Sequence, residues 1–152
     1  MQPMMIRDFR DDDMDRVLDI WLRASQQAHD FIRADFWRER LQDMRDIYLP
    51  AAASRVVEND GCICGFYSLH DGALAALFVA PECQGKGIGS VLLSDAKIHL
   101  PMLELAVYSN NTGAVAFYQR HGFVVLEERQ DEHTGHPETL MGWTARAISC
   151  GC

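Results

Sequence analysis

The sequence predicts a mixed α/β fold, in which antiparallel strands come first and a strand–helix–strand connection follows. Asp60-Gly61 and Asp71-Gly72 separate three strand-like runs, and Asp-Gly is a dipeptide that tight hairpin turns prefer. After Pro81 the apolar residues recur at helical spacing and then return to strand alternation. These observations predict an antiparallel meander joined to a β–α–β unit. The three runs are Ser54–Asn59, Cys62–His70 and Leu74–Ala80.

The segment before the meander predicts one strand and two helices. Met4–Phe9 alternates as a short strand, and Asp11-Asp12-Asp13 precedes an apolar stripe at helical spacing. Acidic residues in a first helical turn are favoured by the helix dipole, so this acidic run has a structural explanation. A second helix is predicted over roughly Asp35–Tyr48, with Pro50 ending it. The stripe of the first helix consists of Val17, Leu18, Ile20, Trp21 and Ala24.

The segment after the meander predicts a helix, a strand, a second helix and a closing hairpin. Residues 88–98 have helical periodicity, and Met102–Tyr108 alternates as a strand. Thr112–His121 follows as a helix, with Gly122 placed to end it. The closing strands are predicted over Phe123–Glu128 and Thr139–Thr144.

The composition predicts one globular domain over residues 1–152, with residues 147–152 as a frayed tail. About half of the residues are apolar and 24% are charged, an ordinary globular balance. No apolar run approaches the ~20 residues of a membrane helix, and no basic flank leads into an apolar stretch at the N-terminus. We therefore expect a cytoplasmic protein with no membrane partner.

The net charge of −8 argues against a nucleic-acid partner, because an acidic surface repels phosphate backbones. The acidity either favours a cationic acceptor or only keeps the protein soluble.

Five cysteines, an odd number, exclude a complete disulfide framework. Cys62-x-Cys64 and Cys150-x-Cys152 have shorter spacers than structural zinc sites use, and free thiols suit a reducing cytosol. The six histidines are scattered. We expect no metal.

The sharpest local motif is the glycine loop Gln84-Gly85-Lys86-Gly87-Ile88-Gly89, between a strand and a helix. Unpaired N–H groups at a helix N-terminus favour an anion, and glycines let the backbone approach a phosphate closely. The spacing matches neither the dinucleotide-binding fingerprint nor the G-x-x-x-x-G-K-[S/T] loop. A pyrophosphate ligand is predicted, with a glycine-rich turn without ligand as the alternative.

Five segments together resemble the GNAT (GCN5-related) superfamily of N-acetyltransferases. Gln84-x-x-Gly87-x-Gly89 resembles its Q/R-x-x-G-x-G/A motif, and Ala76–Pro81 resembles the strand before that motif. Leu105-Ala106-Val107 and Asn111–Tyr118 resemble its L-x-V and N-x-x-A-x-x-F-Y segments, and Gln119–Phe123 completes the "FY…GF" ending. Around His29, Ala28-His29-Asp30-Phe31-Ile32 is similar to small single-domain bacterial members that acetylate small molecules or protein lysines.

The resemblance implies a twisted, mostly antiparallel sheet with about four helices and a central parallel strand pair that splays apart. Pantetheine would bind in the opening as an added strand does, the loop N–H groups would bind the pyrophosphate, and Lys86 could add charge. No metal takes part. The implied acetyl-CoA contacts are Phe78, Val79, Gln84, Gly85, Lys86, Gly87, Ile88, Gly89, Ser90 and Asn111, the last with helix N-capping as its alternative.

The resemblance implies direct attack of an amine on the thioester, with Tyr118 as the general acid that protonates the thiolate. Core packing is the alternative for Tyr118. The general base is less clear, because Ala106 stands where some relatives have a glutamate and Glu104 is roughly 7 Å further away. His29 is the candidate base, since its pKa suits proton transfer; a structural histidine and a water relay are the alternatives. His133 and His136 either edge the acceptor pocket or are solvated.

The expected function is transfer of the acetyl group of acetyl-CoA to a primary amine. The acceptor stays open between a protein lysine, a protein N-terminus and a small-molecule amine. The alternative is a catalytically silent acetyl-CoA-binding sensor or interaction module, and the glycine spacing disfavours a nicotinamide-dependent oxidoreductase. The oligomeric state, a homodimer included, is open.

Overall fold

A computed structural model describes residues 4–145, which form a seven-stranded sheet with helices packed on it. The strand order is β1-β2-β3-β4-β5-β7-β6, and β4–β5 is the parallel pair among otherwise antiparallel neighbours. The predicted mixed α/β class is confirmed. The strands are β1 (Met5–Asp8), β2 (Ala53–Asn59), β3 (Cys62–His70), β4 (Ala73–Val79), β5 (Met102–Tyr108), β6 (Val124–Gln130) and β7 (Pro137–Thr144).

The longer helices are α1, α5 and α6, and the segment between α1 and β2 contains three short ones. Both α1 and α5 pack on β3 and β4. Successive residues of β3 from Ile63 to Ser68 are buried, so both faces of the sheet are covered there. The helices are α1 (Met14–Ala28), α2 (Ala34–Arg38), α3 (Leu41–Asp43), α4 (Leu49–Ala51), α5 (Ile88–His99) and α6 (Thr112–Arg120), with 3-10 turns at Asp11–Asp13 and Pro81–Cys83 and a π-helical turn at Met44–Tyr48.

The two Asp-Gly dipeptides form the hairpin turns that the sequence predicts. Asp60 and Gly61 have φ of 54° and 79°, and Asp71 and Gly72 have φ of 49° and 78°. Positive φ at both central residues is the type I′ geometry, whose twist matches that of antiparallel strands. The meander β2-β3-β4 is therefore confirmed.

The single helix predicted over Asp35–Tyr48 is wrong in its continuity. The chain turns at Glu39 and Arg40, restarts at α3 and widens into the π-helical turn. Trp37 and Leu49 are buried while Ile47 and Tyr48 are exposed, and a wider turn changes the face that later residues present. Pro50 lies in the first turn of α4, where its missing N–H costs nothing, and does not end the helix before it.

The acidic run Asp11–Asp13 is a 3-10 turn before α1, and its last residue has a structural role beyond the helix dipole. Asp13 is buried and accepts hydrogen bonds from Arg7 Nη1 and Nη2 at 2.8 and 2.9 Å and from the Arg10 N–H at 2.8 Å. The hydrogen bond from Arg7, opposed by burial, holds the pKa of Asp13 below its usual value. This ion pair connects β1 to the start of α1.

Within the described part of the chain, none of the helices combines the length and the apolar character needed to cross a membrane. The predicted tail over residues 147–152, with Cys150 and Cys152, lies outside the described residues.

Candidate functional site

Strands β4 and β5 pair at one end and then separate. Ala73 and Glu104 are the paired residues, and the Glu104 N–H donates to the Gly72 carbonyl at 3.3 Å. Across residues 4–145, no further pair joins the two strands. The sheet therefore has an opening at its centre, as expected for the splayed parallel pair.

Hydrogen bonding on the far edge of β4 determines which main-chain groups face this opening. The Ala80 N–H donates to the Cys64 carbonyl at 2.8 Å. Hydrogen-bonded and non-hydrogen-bonded pairs alternate along an antiparallel ladder, so Leu77 and Val79 direct their N–H and C=O groups away from β3 and into the opening. Phe78 directs its main-chain groups toward β3. The expected main-chain contact with the ligand therefore suits Val79 and not Phe78, which can contribute its side chain.

Hydrogen bonding to β7 likewise determines which main-chain groups of β5 face the opening. The Ser109 N–H donates to the Pro137 carbonyl at 2.9 Å on the β7 side, and the register of the two strands then turns the main-chain groups of Ala106 and Tyr108 toward β4. The Val79 carbonyl accepts from Gln84 Nε2 and the Tyr108 carbonyl from the Asn111 N–H. The other peptide groups on both sides of the opening can form the ladder of an inserted extended ligand.

Two cavities meet at the opening. The first, here the inner cavity, has a volume of about 620 Å³ and lies between α1, the glycine loop, α6 and the opening. The second, here the outer groove, has a volume of about 950 Å³ and is lined mainly by the segment 36–52 and the strand ends. The residues that line both are Trp21, Trp37, Ala75, Ala76 and Tyr108.

A β-bulge marks the junction of the two cavities. Ser68 pairs with Ala76, and the next residue, Leu69, pairs with Leu74, so Ala75 is the extra residue on β4. A bulge bends its strand and leaves one residue out of the ladder, and such bulges are common beside active sites. Ala75 and Ala76, whose side chains are small, line both cavities at this junction.

The glycine loop ends the inner cavity next to the start of α5. Gly85 and Gly87 have φ of 81° and 80°, and open space surrounds the position of a Cβ at each. Gly87 is the N-cap of α5. The Val91 N–H donates to the Gly87 carbonyl at 3.1 Å, which is the first hydrogen bond of the helix. The N–H groups of residues 88–90 precede it and are free for an anion.

The side chains around this loop have separate structural roles. Gln84 Nε2 donates to Gln27 Oε1 at 2.9 Å and to the Val79 carbonyl at 3.3 Å, which joins the loop to α1 and β4. Ile88 is buried, so only its main chain can meet a ligand. Ser90 Oγ lies 3.1 Å from His121 Nε2, and Lys86 is exposed.

Gly89 is packed closely against α6. A Cβ there would lie 3.4 Å from the Phe117 ring, which is an ordinary van der Waals contact. Gly89 therefore lies next to α6 at the end of the inner cavity that Phe117 also lines.

Tyr118 lies on α6 and lines the inner cavity. It is 9% exposed, and within residues 4–145 its hydroxyl has no hydrogen-bond partner. Burial raises the pKa of Tyr118 well above its usual value, which keeps the phenol protonated. A protonated hydroxyl without a partner in the described chain is available to donate a proton into the cavity.

Asn111 and His29 are brought together although they are far apart in the sequence. Asn111 caps α6, with its Oδ1 accepting from the Ala114 N–H at 3.2 Å, so the predicted N-cap is confirmed. Its Nδ2 lies 3.5 Å from His29 Nε2. Both residues line the inner cavity.

His29 is enclosed by aromatic rings. It stacks on Trp37 with ring centroids 4.9 Å apart and meets Phe31 and Tyr108 edge-on at 5.8 and 5.2 Å. Burial lowers the pKa of His29, so the ring is neutral at neutral pH. Its Nδ1 is buried with no partner in the described chain, which leaves Nε2 as the nitrogen nearer to the cavity. His29 lines the inner cavity and not the outer groove.

The other residues considered for the acceptor side differ in which cavity they line. Ala106 lines the inner cavity, and Glu104 lines neither cavity. His133 lines the outer groove, and the His136 ring meets the Phe31 ring at 5.2 Å. Among residues 4–145, no cluster of three or more His, Cys, Asp and Glu side chains is placed to hold a metal.

Sequence reasoning missed Trp37, Tyr108 and Asp131. Asp131 Oδ2 accepts from the Tyr108 hydroxyl at 2.8 Å and from Thr134 Oγ1 at 2.9 Å, which fixes the loop between β6 and β7 to the end of β5. Strand alternation places the side chain of Tyr108 on the same face as Ala106, a signal that could have found it. Trp37 and Asp131 reach the site through tertiary packing alone.

Comparison with known proteins agrees with this geometry. Residues 47–125 match the family model described as "Acetyltransferase (GNAT) domain". The peptidyl-lysine N-acetyltransferase YiaC of Escherichia coli is 37% identical over 140 residues, which cover 91% of this chain and 96% of that protein. The peptidyl-lysine N-acetyltransferase YjaB of Escherichia coli is 33% identical over 137 residues, which cover 90% of this chain and 92% of that protein.

Two solved structures show the same fold. The solution structure of apo YjaB from Escherichia coli superposes with a TM-score of 0.83 at 29% identity and covers 95% of this chain and 100% of that one. The PaiA N-acetyltransferase of Thermoplasma acidophilum, solved in complex with coenzyme A, has a TM-score of 0.78 at 17% identity. The match covers 94% of this chain and 99% of that one.

Proposed function

Because the chain belongs to the GNAT acetyltransferase family and is thus an acetyl-CoA-dependent N-acetyltransferase, we propose that its acceptor is the side-chain amine of a protein lysine. The observation that carries this proposal is the outer groove, which is about 950 Å³ in volume and joins the inner cavity at the opening. A small amine does not need a groove of this size, whereas a peptide segment with one long side chain does. The relatives YiaC and YjaB, both called peptidyl-lysine N-acetyltransferases, support it.

The inner cavity, together with the glycine loop at its end, would bind the donor, acetyl-CoA. The free N–H groups of residues 88–90 and the open positions at Gly85 and Gly87 suit a pyrophosphate. The main-chain groups of Val79 and Leu77 suit an extended amide chain such as pantetheine. Asn111 would contact the donor through Nδ2 while its Oδ1 caps α6. The thioester supplies the acetyl group.

Tyr118 would act as the general acid. Its hydroxyl, without a partner in the described chain and with a raised pKa, faces the cavity in which the thiolate leaves. A neutral phenol gives its proton only when a strong base such as a thiolate develops beside it, so the interaction contributes chiefly in the transition state.

His29 would accept the proton of the amine at Nε2, through a water molecule. A lysine ammonium has a pKa of about 10.4 and must lose a proton before attack. The lowered pKa of His29 keeps the ring neutral at neutral pH, and the tautomer with its proton on Nδ1 leaves the Nε2 lone pair, 3.5 Å from Asn111 Nδ2, as the proton acceptor. Since His29 does not line the outer groove, a water in the passage connects it to the amine. The silent-module alternative does not agree with membership of an acetyltransferase family whose nearby relatives are enzymes.

The test is an acceptor panel with acetyl-CoA as donor, in which acetylated products are located by mass spectrometry. The panel holds a lysine peptide with blocked ends, the same peptide with a free N-terminus and arginine in place of lysine, free lysine and spermidine. We expect acetylation of the blocked lysine peptide at the ε-amine and much weaker transfer to the others. Preferred transfer to spermidine, free lysine or the α-amine would contradict the lysine-acceptor proposal.

A further inference from the structure

The outer groove is lined by apolar and aromatic side chains, here the apolar wall, by Ala75 and Ala76 of the β4 bulge and by polar side chains. Aromatic walls suit the aliphatic stem of a long cationic side chain, which packs against rings while its charged end points onward. The apolar wall consists of Phe36, Trp37, Met44, Ile47 and Tyr48.

Two of the four charged side chains that line the groove, Arg40 and Asp131, make intramolecular contacts. Arg40 lies over the Phe36 ring at 3.4 Å and donates from Nη1 to the Phe36 carbonyl at 2.9 Å. Asp131 accepts from Tyr108 and Thr134. These contacts hold both groups in place, although Arg40 keeps further N–H donors and Asp131 Oδ1 has no partner among residues 4–145.

Glu39 and Asp43 differ from these. Both are exposed and line the groove, and among residues 4–145 neither has a salt-bridge or hydrogen-bond partner for its carboxylate. Other acidic residues of the same segment are engaged: Asp35 pairs with Arg38 at 2.9 Å, and Asp46 accepts from Gln42. The two available carboxylates are therefore those that face the groove.

Trp37 provides a second, independent indication of a ligand. It is 8% exposed, lines both the groove and the inner cavity, and its Nε1–H is buried with no partner in the described chain. Buried donors are nearly always hydrogen-bonded in folded proteins. A main-chain carbonyl of a bound peptide would supply the missing acceptor after a small movement of the ring, because Nε1 itself is covered in this structure.

We propose that the outer groove binds an extended segment of the acceptor protein in which a second basic residue flanks the acceptor lysine and pairs with Glu39 and Asp43. The lysine stem lies along Trp37 toward Ala75 and Ala76, and its amine reaches the opening. Successive residues of an extended peptide are about 3.3 Å apart, so the second basic residue lies within a few positions of the lysine. This inference rests on the proposed function and adds a sequence preference to it.

The test compares three end-blocked peptides that share one acceptor lysine and differ in the flanking residues, which are arginine, alanine or glutamate. We expect wild-type kcat/KM to fall in that order, mainly through KM, with about a three- to tenfold ratio between arginine and alanine for two exposed charge pairs. The ratio should shrink as salt is raised, because such pairs are screened.

Glu39→Gln/Asp43→Asn should remove the arginine preference, and Glu39→Lys/Asp43→Lys should reverse it in favour of glutamate. The matched control is Asp11→Asn/Asp12→Asn, which removes the same charge from exposed positions that line neither cavity and should keep the wild-type ratio. A ratio near one in the wild type, or a ratio that survives both Glu39/Asp43 variants, would overturn the inference while lysine acetylation stands. Absence of acetylation in all three peptides would instead overturn the proposed function.

Discussion

The inner cavity and the outer groove differ in the kind of group that each offers a ligand. The inner cavity presents main-chain N–H and C=O groups, from the glycine loop and from the unpaired edges of β4 and β5. The outer groove presents side chains from separate segments, among them Trp37, Glu39, Asp43 and Asp131. Main-chain groups are common to every sequence with this fold, so they suit one invariant donor, whereas side chains can differ between enzymes with different acceptors.

Tyr118 lines the inner cavity and is the proposed general acid, so its substitution should have the largest effect on turnover. Tyr118→Phe should lower turnover by about 10²–10⁴-fold, the usual contribution of general acid catalysis, with acetyl-CoA affinity unchanged. Turnover is measured by thiol release with saturating peptide, and affinity by calorimetry.

Tyr108→Phe is the matched control, since it also removes one phenol hydroxyl but one that is bonded to Asp131 on the acceptor side. It should alter the peptide KM and leave the chemical step within a few-fold. Equal losses of turnover in the two variants would show that Tyr118 is a packing residue.

A substitution in the glycine loop should have the next largest effect, on the affinity for acetyl-CoA. Gly87→Glu introduces a side chain at a φ of 80° and a negative charge where the pyrophosphate is expected. Acetyl-CoA should bind at least ~10²-fold more weakly, because like charges a few ångströms apart cost several kcal/mol near a protein surface. Calorimetry measures the affinity, and circular dichroism checks the fold.

Gly61→Glu is the control for this variant. Gly61 has a φ of 79° and open space around it, at a hairpin turn that lines neither cavity. It bears the same backbone strain and the same charge and should keep wild-type affinity. Matching affinities for the two variants would disprove the phosphate-loop assignment.

His29 lies between the two regions, and its removal should change the pH dependence of the rate. Since burial lowers its pKa, the neutral ring is already available below pH 6.5, and the wild-type rate should be level above that pH. In His29→Ala, deprotonation of the lysine itself would limit the rate, which should be about tenfold lower near pH 7 and still rise toward pH 10. A pH–rate profile over pH 5–10 measures this, and a wild-type profile in the variant would leave His29 as a structural residue.

The smallest expected effect concerns stability. The unfolded chain binds a proton at His29 below pH 6.5, whereas the folded chain does so only at lower pH, so the free energy of unfolding falls as the pH drops below 6.5. His29→Gln should make this fall shallower between pH 7 and 5, as measured by urea unfolding. An equal slope in the variant would mean that His29 does not contribute to it.

The same difference between regions explains how much could be predicted from the sequence. The Asp-Gly turns, the glycine loop and the cap at Asn111 are local patterns, and each is where the sequence predicts it. The helix predicted over Asp35–Tyr48 is broken, because burial of Trp37 and Leu49 outweighs helix periodicity in that segment. The residues of the outer groove could not be predicted from the sequence, because they come together only through tertiary packing.

We expect the inner cavity and the outer groove, which share lining residues at the opening between β4 and β5, to act as one continuous site. A bisubstrate compound, with the sulfur of coenzyme A joined through an acetyl bridge to the ε-amine of a lysine peptide, tests it most directly. The compound should compete with both acetyl-CoA and peptide and should bind at least ~10²-fold tighter than coenzyme A, because its second contact is intramolecular. Binding no tighter than that of coenzyme A, with no competition against peptide, would contradict it.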